Sequence, residues 1–267
     1  MQADKTTLLL TGLAVALATL VGCNRTPPAV NADAGANAAP AYPPPPELTS
    51  VAPAPGGLRL AGVAAPSVAV RLATPTGPAE LTTADSAGHW QVVVPASDRP
   101  QLFSLSMTEG GRIAQAAGYL FVAPGGVAAR LRGGGGSELL DSGAARIAAQ
   151  TLDYDDKGAA TLAGRAGPGE SVSLRVDGVE RGQGQTDADG RFVLALNVPL
   201  TSGEHSFDLA SPTGEVEVRA AVNAPLALGV SLFSAERSAE GGWRIDWLTP
   251  GGGEQTTLIF GPPTQRS

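Results

Sequence analysis

An internal repeat constrains the fold of this chain more than any other feature. When the chain is shifted by 102 residues, residues 56–95 align without a gap on residues 158–197, and ten of the 40 pairs are identical. The identities include Leu60-Ala61-Gly62, which matches Leu162-Ala163-Gly164. Self-similarity over such a length indicates that one supersecondary unit occurs twice. The sequence therefore predicts two copies of one module.

The repeated module has the pattern of β-strands. Val70 and Leu72 alternate with other residues, as do Val172 and Leu174, and this period of two is the signature of a strand with one buried face. Asp177-Gly178 favours a type I′ hairpin turn, because this pair tolerates positive φ. Short strands with closely spaced turns are typical of β-sandwiches.

Matching turns precede one aromatic residue in each copy. Asp85-Ser86-Ala87-Gly88 stands before Trp90, and Asp187-Ala188-Asp189-Gly190 stands before Phe192. We predict that each turn delivers its aromatic side chain to a core, and that Gly190 adopts positive φ. The two copies should therefore share turns as well as strands.

The last part of the chain differs from both copies. Trp243, Ile245 and Trp247 alternate with polar residues, and apolar alternations also precede and follow them between glycine-rich turns. We predict a small antiparallel meander packed on the second module, because a hairpin of this size is marginal alone. The predicted fold class is thus all-β, with two tandem β-sandwich modules and a C-terminal β-meander.

Composition shifts divide the chain into six predicted segments. Proline and alanine dominate the stretch before the first module, which cannot bury enough apolar surface to fold, and Gly133-Gly134-Gly135-Gly136 has the chemistry of a flexible linker. The segments are a signal peptide at 1–22, a disordered stalk at 23–47, the first module at 48–124, a Gly-rich linker at 125–144, the second module at 145–225 and the meander at 226–263.

Cys23 is the only cysteine of the 267 residues and follows an uncharged apolar run. That run is shorter than the ~20 residues that span a bilayer as a helix, so it favours a signal peptide. Leu20-Val21-Gly22-Cys23 resembles the lipobox of bacterial lipoproteins, although Lys5 is the only basic residue before it. The resemblance implies cleavage before Cys23 and attachment of palmitate and other acyl chains there. The alternative is an uncleaved, tilted anchor with an incidental cysteine.

Segments of the second copy resemble bacterial Ig-like repeats. The residues that carry the resemblance lie in 162–178, 186–192 and 199–205. Similar modules occur in cell-envelope proteins of Gram-negative bacteria, some of which also contain a LysM domain, although no LysM-like segment is seen in this sequence. The resemblance implies that the two tandem β-sandwich modules are Ig-like, and it implies a fold rather than an activity. Because Asn24 rather than aspartate follows Cys23, the lipoprotein resemblance also favours the outer membrane, facing either the periplasm or the cell surface.

Charge and motifs exclude several classes of function. The net charge is −7 and the isoelectric point is near 4.9, so the chain repels phosphate backbones and nucleic-acid binding is not expected. The sequence has no phosphate-binding loop, dinucleotide motif or zinc-protease motif, and we predict no cofactor. His89 and His205 occupy different repeat positions without convergent partners, so a catalytic or metal-binding role is not expected for either.

Two further sites remain open on the sequence alone. The acidic residues at 153–156, or Asp187 with Asp189, offer oxygens to Ca²⁺ or are simply solvated turns. Trp243 and Trp247 form either a core face or an exposed face that stacks on sugars. We therefore expect an envelope lipoprotein that acts as a non-enzymatic tethered scaffold or binding module, with an envelope protein or a glycan as partner. The alternative is a carbohydrate- or peptidoglycan-binding protein that uses Trp243 and Trp247.

Overall fold

The computed structural model describes residues 42–77, 79–140, 147–238 and 241–261, which all belong to one compact unit. Within these ranges every regular element is a β-strand, which confirms the all-β prediction, and no helix has the length and hydropathy needed to cross a bilayer. The strands are β1 (Glu47–Ala54), β2 (Gly57–Val63), β3 (Ala69–Ala73), β4 (Ala79–Thr83), β5 (His89–Pro95), β6 (Gln101–Glu109), β7 (Arg112–Gln115), β8 (Tyr119–Val122), β9 (Ala128–Leu131), β10 (Glu138–Leu140), β11 (Ala148–Asp155), β12 (Ala160–Arg165), β13 (Ser171–Val176), β14 (Val179–Gln185), β15 (Arg191–Ala195), β16 (Gly203–Ser211), β17 (Gly214–Val222), β18 (Phe233–Arg237), β19 (Trp243–Leu248) and β20 (Glu254–Ile259).

The strands form four sheets that are stacked around three cores. In module 1, the sheet β1-β2-β5 faces the sheet β10-β9-β8-β6-β3-β4, in which β7 also pairs with β6. In module 2, the sheet β15-β12-β11-β20-β19-β18 faces the sheet β14-β13-β16-β17. Each module encloses its own apolar core, and a third core lies between the two modules. The architecture is therefore a pair of β-sandwiches joined face to face.

The internal repeat is visible strand by strand. β2, β3, β5 and β6 of module 1 have the same pairing as β12, β13, β15 and β16 of module 2. Leu60 and Leu162 are fully buried in equivalent strands. A Cβ at Gly62 would lie 2.7 Å from the ring of Trp90, and one at Gly164 would lie 2.6 Å from the ring of Phe192. The shared Leu-Ala-Gly motif thus makes room for the aromatic residue that each turn delivers.

The predicted turns are confirmed in both copies. Asp85 and Asp187 each accept hydrogen bonds, through Oδ1, from the backbone amides two and four residues later, at 2.9 and 2.8 Å. Gly88 and Gly190 close these turns with φ of +87° and +75°. The hairpin between β13 and β14 also has positive φ at Asp177 and the following glycine, as a type I′ turn requires.

The flexible linker predicted at 125–144 is wrong at 128–131 and 138–140, where the chain forms β9 and β10. β9 and β10 lie in this segment and extend the larger sheet of module 1. Ala128 lies in the module 1 core, whereas Ala129 and Leu131 lie in the core between the modules. Because both faces of β9 are buried by small and aliphatic side chains, the strand lacks the alternation that marks a half-exposed strand.

The predicted stalk at 23–47 ends earlier than expected. Pro46 is buried, and the Tyr42 hydroxyl donates to the carbonyl of Ile113 at 2.5 Å, so this part of the chain lies on module 1. The predicted signal peptide at 1–22 and the lipid attachment at Cys23 fall outside the described residues. Those two assignments stay predictions.

The C-terminal meander is confirmed, but it does not pack on the second sandwich as a separate layer. β20 pairs with β11 from Thr151 to Asp155, and β19 and β18 follow in order. The meander therefore continues one sheet of module 2, and its apolar face is turned toward module 1.

Candidate functional site

The core between the modules is the most distinctive site of the molecule. It brings Phe121 and Leu131 of module 1 against the meander residues Trp243, Ile245 and Trp247. Phe121 and Trp243 meet edge to face with ring centroids 5.9 Å apart. This apolar contact holds the two sandwiches together and would be exposed if they separated.

Of the two alternatives for Trp243 and Trp247, the structure shows the core face and not an exposed face that stacks on sugars. Trp247 is 0% exposed, with its Nε1 donating to Thr257 Oγ1 at 3.0 Å and its ring against Tyr119. Trp243 is 6% exposed, and the Arg237 guanidinium lies 4.8 Å from its ring centroid. Neither indole has an open face, because the strands of module 1 cover the side that the sequence alone left undecided.

A buried polar network lies next to this apolar core. The Asp153 carboxylate is 3% exposed and accepts hydrogen bonds from the Ser137 amide, from the Ser137 hydroxyl at 2.7 Å, from Thr257 Oγ1 at 2.5 Å and from Gln255 Nε2 at 3.2 Å. Gln255 Oε1 also accepts from the Gly134 amide at 3.0 Å. Burial raises the pKa of Asp153, and these donors oppose that effect. The glycine-rich segment is thereby attached to module 2.

Three arginines surround one carboxylate at the same boundary. The carboxylate oxygens of Glu138 on β10 lie 3.1 Å from Arg130 Nη1, 3.7 Å from Arg132 Nη2 and 3.0 Å from Arg191 Nε. Arg191 begins β15, so the cluster joins module 1 to module 2. Because the Glu138 side chain is only 15% exposed, its charge is poorly screened by water.

The opposite face of β19 carries a buried ion pair. Arg244 contacts Asp246 at 2.8 Å and donates to the Tyr154 hydroxyl at 2.9 Å and to the Ala224 carbonyl at 3.0 Å. Burial raises the pKa of Tyr154. The guanidinium therefore ties the chain that follows β17 to the meander, with its donors used inside the fold.

The two histidines lie apart, one in each module. His89 is exposed and approaches Asp85 at 3.6 Å, while His205 contacts Asp177 at 2.6 Å. Four surface grooves, with volumes of about 260 to 700 Å³, lie on the described residues, and no histidine lines these four. The structure thus provides no histidine–carboxylate pair facing one of these grooves.

The acidic residues proposed for Ca²⁺ are engaged in other ways. Asp153 is enclosed by donors, and Asp155 Oδ1 accepts the amides of Lys157 and Ala159 at 2.9 Å each. Asp187 caps the turn described above. Within the described ranges no group of three or more histidine, cysteine, aspartate or glutamate side chains is placed to hold a metal ion.

Sequence reasoning missed the residues that join the modules. Ser137, Glu138 and Gln255 have no motif around them, and each has a partner more than 50 residues away along the chain, namely Thr257, Arg191 and Gly134 respectively. The usable signal was the alternation of Trp243, Ile245 and Trp247, which indicated an apolar face but not the surface that covers it.

Comparisons with known proteins are sparse. No family model matches the sequence, and no curated protein matches it significantly. Among solved structures, one similar chain is described as "Biofilm associated protein - BSP domain", with 11% identity, a TM-score of 0.25 and coverage of 68% of this chain and 30% of that chain. Another is the "Central Fibronectin-III array of RIM-binding protein", with 13% identity, a TM-score of 0.27 and coverage of 79% and 74%. The chain spans less than a third of the first of these, and at such scores the all-β architecture rests on the strand pairing of this chain alone.

Proposed function

We propose that this chain is a cell-envelope lipoprotein, anchored through acylated Cys23, that acts as a non-enzymatic tethered scaffold or binding module. The observation that carries the scaffold role is the apolar core between the modules. It fixes two sandwiches against each other through Phe121, Trp243 and Trp247 rather than leaving them on a loose linker. A protein that holds surfaces at a set separation benefits from such a contact.

The use of the ionisable side chains supports a role without catalysis. Asp153 and the Arg244–Asp246 pair are buried and bonded within the fold, and Glu138 is surrounded by arginines. Catalytic acids and bases instead need a perturbed group whose polar atoms are free to reach a substrate in a cleft. Asp153 and Glu138 each line a surface groove, but their carboxylates already accept hydrogen bonds from side chains of the fold. The hydrogen bonds and ion pairs of these groups thus stabilise the contacts between the sheets.

Contacts with a partner protein are expected at exposed strand edges and loops. β4 and β14 are edge strands, and each carries an exposed apolar residue, Leu81 and Val179. An edge strand offers unpaired backbone groups to an added strand, and nearby side chains supply specificity. Placement of these edges on one body is what would make the protein a scaffold.

The anchor is tested by replacing Cys23. In a Gram-negative host, Cys23→Ala should abolish labelling with palmitate and leave unprocessed precursor, because the acylated sulfur no longer exists. Asn24→Gln is the matched control, since it keeps Cys23 and should be labelled and processed normally. Normal cleavage and release of the Cys23→Ala variant would contradict the lipoprotein assignment.

The binding role is tested by crosslinking in intact cells. A photoreactive residue at Leu81 or Val179 should form adducts with the same envelope protein in repeated experiments, identified by mass spectrometry. The control position is Arg175, which is exposed on the central strand β13. Equal capture from Arg175, or capture of no protein from the edge positions, would contradict binding at strand edges.

A further inference from the structure

The imidazole of His205 lies between two hydrogen-bond acceptors. Its Nδ1 is 2.6 Å from Asp177 Oδ2, and its Nε2 is 2.8 Å from the carbonyl oxygen of Thr201. A carboxylate and a carbonyl accept and cannot donate, so both bonds require a hydrogen on each ring nitrogen. Only the doubly protonated, positively charged imidazolium provides both. A neutral imidazole must give up one of the two contacts.

We propose that His205 is a pH-sensitive latch that fastens the loop before β16 to the β13–β14 turn. Thr201 belongs to that loop, Asp177 forms that turn, and His205 stands on β16 between them. The Asp177 carboxylate also accepts from the Ser206 amide through Oδ1 at 3.0 Å, so the turn is held to β16 independently of the imidazole. Loss of the His205 proton therefore releases the loop more readily than the turn.

The charges around His205 favour the closed latch. Asp177 faces the ring from the β13–β14 turn, and Glu204 precedes His205 on β16; both negative charges favour the protonated imidazole. The positive charge of Arg181 on β14 lowers the pKa of Asp177 and so favours its carboxylate form. The ring of Phe207 meets the imidazole edge to face at 6.3 Å. Burial alone would lower the pKa of His205, but the Thr201 carbonyl and the Asp177 carboxylate together raise it above its ordinary value of 6.5.

Module 1 has no such latch at the equivalent position. Leu105 and Leu209 lie opposite the repeat-equivalent residues Leu72 and Leu174, so the residue four positions earlier is Gln101 in module 1 and His205 in module 2. Glutamine does not titrate. This latch is therefore confined to module 2, and His205→Gln introduces the residue that stands at the equivalent position of module 1.

The direction of the pH effect follows from the pKa shifts of His205 and Asp177. Because folding raises the pKa of His205, the contribution of its proton to the free energy of unfolding is fully present below pH 6.5. That contribution is lost as the pH rises through the higher pKa of the folded state. The hydrogen bond from His205 lowers the pKa of Asp177, so the Asp177 carboxylate contributes fully to the free energy of unfolding above pH 3.8. That contribution is lost as the pH falls through the lower pKa of the folded state. The latch is closed between these limits and opens on the alkaline side of 6.5.

The experiment is a pH titration of the full chain by NMR. The chain has only two histidines, so a His89→Gln variant assigns both ring signals. We expect His205 to titrate at a higher pH in the folded chain than in the urea-unfolded chain. Over the same pH range, hydrogen exchange of the Leu200 amide, which donates to the Gly158 carbonyl at 2.8 Å, should accelerate by roughly tenfold after correction for intrinsic rates, as loss of one charge-assisted bond predicts.

Two controls make the result specific. The Gly190 amide, which donates to the Asp187 carbonyl at 3.0 Å, lies in the same module and should exchange at an unchanged corrected rate. His205→Gln and Asp177→Asn should each remove the pH response at Leu200. The proposal is overturned if His205 titrates at or below its unfolded midpoint, or if Leu200 exchange ignores the titration in the unmodified chain, a measurement that does not depend on any variant folding.

Discussion

Trp247→Ala tests whether the two sandwiches form one cooperative body. The side chain is fully buried in the core between the modules and contacts Tyr119 of β8 edge to face at 5.9 Å. Its Nε1 also donates to Thr257 Oγ1, which keeps Asp153 as a second partner at 2.5 Å after the indole is removed. The substitution therefore leaves a cavity without leaving an orphaned hydroxyl.

The expected loss is large relative to the stability of a folded domain. Truncation of a buried tryptophan to alanine costs ~3–5 kcal/mol, and the edge-to-face contact with Tyr119 contributes ~0.5–1.5 kcal/mol beyond its buried area. We take the lower part of this sum, about 4 kcal/mol, since surrounding side chains partly fill the cavity. Against a typical total of ~5–15 kcal/mol, such a loss would uncouple the modules.

Urea denaturation with hydrogen exchange resolved by module measures the effect. In the unmodified chain, amides of β8 and β9 and amides of β19 should exchange through one shared opening, whereas Trp247→Ala should let the modules open separately. Leu81→Ala is the control, because that exposed side chain should change stability by no more than ~0.5 kcal/mol. A loss below ~1 kcal/mol for Trp247→Ala, with the shared opening intact, would refute a core role for this contact.

Two other substitutions probe a turn and the polar network. Gly190→Val should destabilise the chain by roughly 3 kcal/mol in thermal unfolding, because φ is +75° and a Cβ would lie 2.4 Å from the Ala166 carbonyl oxygen. Gly169→Val is the control for backbone strain, since φ is +71° but nothing lies within 4 Å of its Cβ. Equal losses at both sites would contradict the steric part of this prediction. Asp153→Asn should lower the free energy of unfolding by about 2 kcal/mol in urea, since each buried donor that loses its acceptor costs ~1–3 kcal/mol. The exposed Asp156→Asn is the control, and similar losses for both variants would argue against the network.

The sequence predicted the repeated modules well because the turns and strands that define them are each indicated by a few neighbouring residues. A turn such as Asp187–Gly190 needs an acceptor side chain and a residue tolerant of positive φ within four positions, and the sequence states both. The alternation of Val172 and Leu174 likewise fixes one buried face of β13. The repeat then extends each assignment to the other copy, which is why the strands before the glycine-rich segment could be matched to those after it.

The segment that joins the modules could not be predicted, because its structure is set by distant partners. Gly134 donates to Gln255, which is 121 residues further along the chain, and Ser137 donates to Asp153 on β11. A run of glycines read alone indicates flexibility, since glycine has the greatest backbone freedom. The same absence of side chains lets this backbone approach module 2 closely enough for those bonds. Trp243 gives a second example, because its alternation with polar residues predicted an apolar face but not that module 1 covers that face.

One strand edge explains why the two copies of the module are built out differently. Val51 of β1 corresponds to Leu152 of β11, because each lies opposite the repeat-equivalent leucine of the next strand. β20 pairs with the far side of β11, whereas β1 has one strand partner among the described residues.

The residue two positions after Val51 is Pro53, where module 2 has Tyr154. Because Ala54 and Gly57 face each other across a two-residue turn, the backbone nitrogen of Pro53 points away from β2, toward the open edge. Proline has no N–H to offer an added strand at that point. Tyr154 keeps its N–H for β20 and uses its hydroxyl to bind Arg244 of β19. A single position thus favours recruitment of the meander in module 2 and opposes strand addition in module 1.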